Sequence, residues 1–195
     1  MKAISNPRLF IAINPPLAVR ELLFKWQSRL HVSGLLVKWV EKQNLHLTLE
    51  FLGDTEWEKV EGLKEVLSKA AGQSSAFSLA VKGMGTFPNL KQPRVIWMGL
   101  TGQLEELTHL QRNVRQGLTE QGYYFDKKPF RPHLTLGRVR DAAPAFDRQL
   151  LQEVFTSAGA IDSPEWRVER IDLMQSELGR PGPRYTVLES FPLRT

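Results

Sequence analysis

The sequence predicts an α+β fold, and three observations carry that prediction. Strand-like and helix-like stretches follow one another along 195 residues. Several of the strand-like stretches alternate polar and apolar residues, as a sheet with one open face requires. No Gly-rich phosphate loop follows the first strand. Asn14-Pro15-Pro16 stands there instead, which argues against a doubly wound nucleotide-binding sheet.

In chain order, the apolar run Leu9–Ile13 reads as a buried strand. Leu17–Leu30 reads as a helix entered through Pro15-Pro16, with Leu22, Leu23, Trp26 and Leu30 on one face. Leu36–Val40 and His46–Leu52 have strand character. Glu58–Ala71 is amphipathic, with Val60, Leu63, Val66, Leu67 and Ala70 at helical spacing and Gly72 as its stop. Phe77–Val81 and Val95–Leu100 are predicted strands, and Leu104–Leu118 is a third helix closed by Gln121-Gly122. His133–Val139 is a strand and Pro144–Ala158 a fourth helix. Trp166–Met174 and Tyr185–Phe191 follow as strands, joined by the loop Gly179-Arg180-Pro181-Gly182-Pro183. With no linker-like segment, residues 1–195 are expected to form one domain.

Composition narrows the chemistry. Hydrophobic residues make up 42% and charged residues 24%, which excludes disorder for the chain as a whole. Cysteine is absent, which excludes disulfides, thiolate metal sites and a cysteine nucleophile, and suits a reducing compartment. The net charge of +5 tilts towards a polyanionic partner. Leu9–Ile13 is too short for a signal peptide's apolar region, and no stretch nears the roughly 18 apolar residues of a membrane span. A cytoplasmic chain with no membrane contact is expected.

The informative motif is a repeated tetrapeptide. His46-Leu47-Thr48-Leu49 recurs 87 residues later as His133-Leu134-Thr135-Leu136. With 28 Leu and 10 Thr in the chain, composition alone would supply a second copy about three times in a thousand. Each copy lies in a predicted strand followed by a turn and a helix. That suggests two lobes related by a pseudo-two-fold axis. Alternation in a strand sends His and Thr to one face and the leucines to the other, so the lobes would meet around two imidazoles and two hydroxyls. Two imidazoles can act as acid and base near neutral pH, and hydroxyls can donate to phosphate oxygens, so phosphoryl chemistry follows. Neither motif has the acidic neighbours of a two-metal nuclease, Glu50 and Asp54 being too few, and no metal or other cofactor is expected.

From Lys127 to Arg140 there are five cations and no acid beside the second motif. Arg131 falls on the face of His133 by alternation, whereas Arg138 would point away unless the strand bends at Gly137. Both are candidate phosphate ligands. Trp39, Phe87 and Phe130 are candidate base-stacking residues, while Trp97 is expected in the core. His31 and His109 are expected to be exposed or capping.

The doubled His-Leu-Thr-Leu resembles the paired H-x-[ST] motifs of the 2H phosphoesterase superfamily. Arg8-Leu9-Phe10-Ile11-Ala12, Pro93-Arg94-Val95-Ile96-Trp97 and Phe130–Arg138 resemble its LigT/ThpR branch, the RNA 2′,3′-cyclic phosphodiesterases. So do Gln175-Ser176-Glu177-Leu178, Tyr185 and Phe191-Pro192-Leu193. The resemblance implies a bilobal α+β fold, two antiparallel sheets flanked by outer helices with a central cleft. It implies that His46 is the proton donor and His133 the proton acceptor, with Thr48 and Thr135 holding phosphate oxygens. The implied substrates are RNA or oligonucleotides ending in a 2′,3′-cyclic phosphate, tRNA fragments among them, and small cyclic nucleotides; a monomer is expected. Joining of tRNA halves through a 2′,5′ linkage in the same site, or a non-catalytic nucleotide- or RNA-binding module, stand as alternatives.

Overall fold

The computed structural model describes residues 6–30, 36–140, 148–158, 163–180 and 182–195. His31, Pro181 and the start of the fourth predicted helix at Pro144 lie outside them. Nine strands are described: β1 Arg8–Ile13, β2 Val37–Trp39, β3 Leu47–Asp54, β4 Phe77–Phe87, β5 Val95–Gly102, β6 Leu134–Val139, β7 Trp166–Val168, β8 Arg170–Leu178 and β9 Pro183–Pro192. Four α-helices accompany them: α1 Leu17–Leu30, α2 Val60–Gly72, α3 Leu104–Glu120 and α4 Arg148–Ala158.

The helices form where apolar residues recur every three or four positions. In α3, Leu107, Leu110, Val114 and Leu118 are fully buried on one face. Gly122 (φ +85°) ends it, donating to Thr119 O while Tyr123 N–H donates to Leu118 O, which satisfies two of the helix's last carbonyls. In α1 the buried face is Val19, Leu23, Trp26, Gln27 and Leu30, with Leu22 half-buried at its margin.

All strand pairings are antiparallel, in the order β7-β4-β5-β6-β3-β1-β8-β9, with β2 added to β6. The expected two sheets are the two halves of this order, β7-β4-β5-β6 and β3-β1-β8-β9. They meet edge to edge through one residue pair, Leu47 with Leu134. The segment β1-α1-β3 is repeated by β5-α3-β6, so the two motif strands face each other across a pseudo-two-fold axis. The sheet also curls. β7 and β8 lie far apart in the strand order, yet only Glu169 separates them in the chain. Ser75 bridges to Arg194 across the same closure.

Two predicted elements differ. Trp166–Met174 is two strands rather than one, because the chain leaves one half and enters the other at Glu169. β4 runs on past Val81 to Phe87, through a bulge near Gly83 (φ +72°). The glycines hide this strand from a hydrophobic pattern, and Gly85 has a packing reason: a Cβ there would run into the indole ring of Trp97.

One core runs under both halves, combining the leucines of both motifs with those of α1, α2 and α3. The opposite face of the sheet carries a small separate cluster of Phe10, Ala12 and Met174, with Tyr185 against it. That second face is where the two histidines emerge.

Candidate active site

Leu47, Leu49, Leu134 and Leu136 are buried, and this anchors both motif strands in the core. Alternation then turns His46, Thr48, His133 and Thr135 to the other face, where all four are half-buried. Antiparallel register through Leu47 and Leu134 sets His46 across from Thr135 and Thr48 across from His133. The strands separate on either side of that single pair, and the space between them is the cleft.

Each histidine is held in the same way. Nδ1 of His46 lies 2.7 Å from Asn44 O, and Nδ1 of His133 lies 2.7 Å from Arg131 O. A carbonyl only accepts, so each Nδ1 carries the proton and each neutral ring keeps Nε2 as its basic nitrogen. Burial lowers the pKa of both rings below the ordinary imidazole value, against the opposing pull of these carbonyls. The charges of Arg20 and the other histidine lower His46 further, and Arg138 lowers His133. Aromatic walls complete the matched settings. His46 packs 4.9 Å from Phe10 and edge-on at 5.2 Å to Tyr185. His133 packs edge-on at 5.1 Å to Phe87, with Trp97 at 6.3 Å.

Arg138 reaches the cleft face by a bulge. The β5–β6 register jumps from Ile96–Gly137 to Trp97–Thr135, leaving Leu136 unpaired, so Arg138 shares the face of Trp97 and Thr135. The irregularity lies one residue before the bend expected at Gly137. Gly137 has a separate role: a Cβ there would lie 2.5 Å from Val37 Cγ1 and 2.9 Å from Trp39 Cε3, so glycine lets β2 seat on β6. The first motif has the same bulge at Leu49, between Ala12–Thr48 and Ile11–Glu50. It puts Phe51 at the place corresponding to Arg138 and turns Glu50 into the interior. There Glu50 accepts from Gln111 Nε2 and Arg115 Nε, both at 2.5 Å.

Two pockets flank the histidines. One of about 590 Å³ adjoins His133 and Thr48, and Phe87, Phe130 and Arg131 line it. The other, about 380 Å³, adjoins the rings against His46 and is lined by Trp39 and Arg138. His46 itself lines a third, smaller pocket of about 200 Å³ together with Tyr185 and Asp172, and Thr135 is placed by its register across from His46. Arg131 differs in that its carbonyl, rather than its exposed guanidinium, engages His133.

Trp97 is corrected: it is half-buried on the cleft face instead of filling the core. Phe51, 66% exposed, and Arg115, which lines the His133 pocket, were not anticipated. Asp172 is another addition. Buried beside His46, it accepts from Asn14 Nδ2 at 2.7 Å and Ser190 Oγ at 2.5 Å. His109 is exposed on α3, as expected.

Residues 15–180 match the family described as the 2′-5′ RNA ligase superfamily. The chain belongs to that superfamily. Among its relatives, an RNA 2′,3′-cyclic phosphodiesterase of Archaeoglobus fulgidus is 37% identical over 185 residues, covering 94% of this chain and 99% of that protein. The protein of the same name from Aquifex aeolicus is 33% identical over 188 residues, covering 95% and 97%. In three dimensions this superfamily member is similar to the TT0787 protein of Thermus thermophilus, with TM-score 0.79, 33% identity and coverage of 96% and 98%. It is also similar to E. coli LigT complexed with 3′-AMP, with TM-score 0.76, 29% identity and coverage of 97% and 99%. The 2H phosphoesterase resemblance carried by the doubled motif is thus the chain's family.

Proposed function

We propose that this chain is an RNA 2′,3′-cyclic phosphodiesterase that opens cyclic phosphate termini to 2′-phosphomonoesters. The observation that carries the reading is the matched fixing of two imidazoles, each with Nδ1 on a carbonyl and Nε2 left to work in one cleft. Full-length relatives of that name support it. Nε2 of His133 takes the proton of a water as its oxygen attacks phosphorus. The P–O3′ bond breaks on the opposite side, and His46, in its imidazolium form, gives its Nε2 proton to the departing 3′-oxygen. Thr48 and Thr135 donate to the non-bridging oxygens, and Arg138 offsets the added negative charge. Phe87, Trp39 and Phe130 offer faces for bases.

We propose a monomer, one domain of two lobes, since every group invoked comes from a single chain, and a cytoplasmic location, which the absence of cysteine suits. Among the described residues, no helix is long and apolar enough to cross a membrane. The 590 Å³ pocket on the side of the attacking oxygen also has room for a nucleoside, which favours a second reading. There a 5′-hydroxyl replaces water and a 2′,5′ linkage forms.

The direct test is incubation with a cyclic-phosphate oligonucleotide in EDTA, followed by identification of the product. A 2′-phosphate is expected; a 3′-phosphate would overturn the regiochemistry, and no turnover would overturn the activity. The pH profile gives an independent check. Both imidazoles are depressed by burial, and kcat/KM reports the free enzyme, so its bell should centre below about pH 6.5. A bound phosphate anion favours both imidazolium forms, so the kcat bell should lie at higher pH. A kcat/KM optimum well above pH ~7 would contradict a pair of burial-depressed imidazoles as the acid and base.

A further inference from the structure

The two pockets differ in character, and the difference assigns a direction to the RNA. The 380 Å³ pocket is walled by Tyr185, which packs against His46, and lined by Arg8, Lys38 and Arg138 with Trp39 and the exposed ring of Phe51. Among the described residues, none of these three cations has an ion-pair partner. Glu41 is the single acid in the lining, and it accepts from Gln43 Nε2 at 2.5 Å. Cations alternating with aromatic faces are the chemistry that holds a single strand, phosphates on the former and bases on the latter. Its volume suits a nucleotide-sized occupant.

The mechanism fixes which strand enters. If His46 protonates the 3′-oxygen, the terminal ribose lies on the His46 side, and its 5′-carbon leads the preceding nucleotide away on that side. We propose that this pocket is a subsite for the penultimate nucleotide, so that an oligoribonucleotide end is preferred over the free cyclic nucleotide. Arg8 and Lys38, from the start of β1 and from β2, would hold the intervening phosphate. This inference rests on the phosphodiesterase reading and narrows it.

The test compares a 2′,3′-cyclic mononucleotide with a trinucleotide ending in the same cyclic phosphate. The wild-type chain should favour the trinucleotide by about tenfold or more in kcat/KM, the yield of one charge-assisted phosphate contact. The double variant Arg8→Ala/Lys38→Ala should lose most of that preference through KM while mononucleotide turnover is unchanged. Its binding of a 3′-phosphate trinucleotide should also be less salt-sensitive, by roughly 0.7 in log–log slope per lost phosphate contact. The conservative pair Arg8→Lys/Lys38→Arg should restore the preference. Equal kcat/KM on both substrates for the wild type would overturn the subsite alone, as would equal losses on both in the double variant. No turnover of either substrate would remove the phosphodiesterase reading, and the subsite with it.

Discussion

Replacing His46 or His133 with Ala is expected to lower kcat/KM on a cyclic-phosphate RNA end by about 10²–10⁴-fold each, the usual contribution of a positioned acid or base. The double variant should fall little below the worse single, because the two act on one transition state and their effects do not add. Stability should change little by comparison: both rings are half-buried at the cleft, and the leucines between them carry the packing. The two variants should separate on a substrate whose bridging 3′-oxygen is replaced by sulfur. A thiolate leaves without needing a proton, so activity lost in His46→Ala should largely return, whereas His133→Ala should stay slow. This matters because the site's own symmetry cannot say which histidine is the acid. Both make the same bond to a carbonyl two residues back, and both pack edge-on against an aromatic ring. Rescue of His133→Ala alone would reverse the roles, and full activity in either variant would overturn the mechanism.

The residues that were legible in the sequence are those set by strict alternation. His46, Thr48, His133 and Thr135 follow from period two alone, and α1 and α3 from period 3.6. The pattern stops being informative where the period breaks. Bulges at Leu49 and Leu136 invert the side chains that follow, turning Arg138 and Phe51 towards the cleft and Glu50 into the interior, until a second register shift at Leu52 restores the alternation in β3. Gly83 and Gly85 interrupt β4, so its run to Phe87 carries no apolar signature. Trp97 appears in an apolar run that would suit any buried strand. Only the pairing partners of β5 show that its ring lies on the cleft side, over Gly85. Asp172 gives no local signal at all, since its partners come from elsewhere, Ser190 from the facing strand β9 and Asn14 from the far end of the chain.

Truncating the junction between the halves should give the largest loss of stability. Leu47 and Leu134 are 1% and 0% exposed and form the single paired position between β3 and β6. Leu→Ala at either should cost about 2–5 kcal/mol, combining lost burial with the cavity left behind. For a chain of this size each kcal/mol lowers Tm by roughly 2–4 °C. The side chains lie across from each other, so the double variant should depart from additivity by about 0.5–3 kcal/mol in a denaturant-unfolding cycle. Leu178→Ala, at a side chain 73% exposed, is the control and should stay within about 0.5 kcal/mol of the parent. Activity is expected to fall further than stability explains. The same pair sets His46 across from Thr135 and Thr48 across from His133, and misplacement of reacting groups by about 1 Å can cost some 10²-fold. At temperatures where Leu47→Ala remains folded, kcat should therefore drop. If each single variant lost under about 1 kcal/mol and kept its kcat, this pair would not be what holds the two motifs in register.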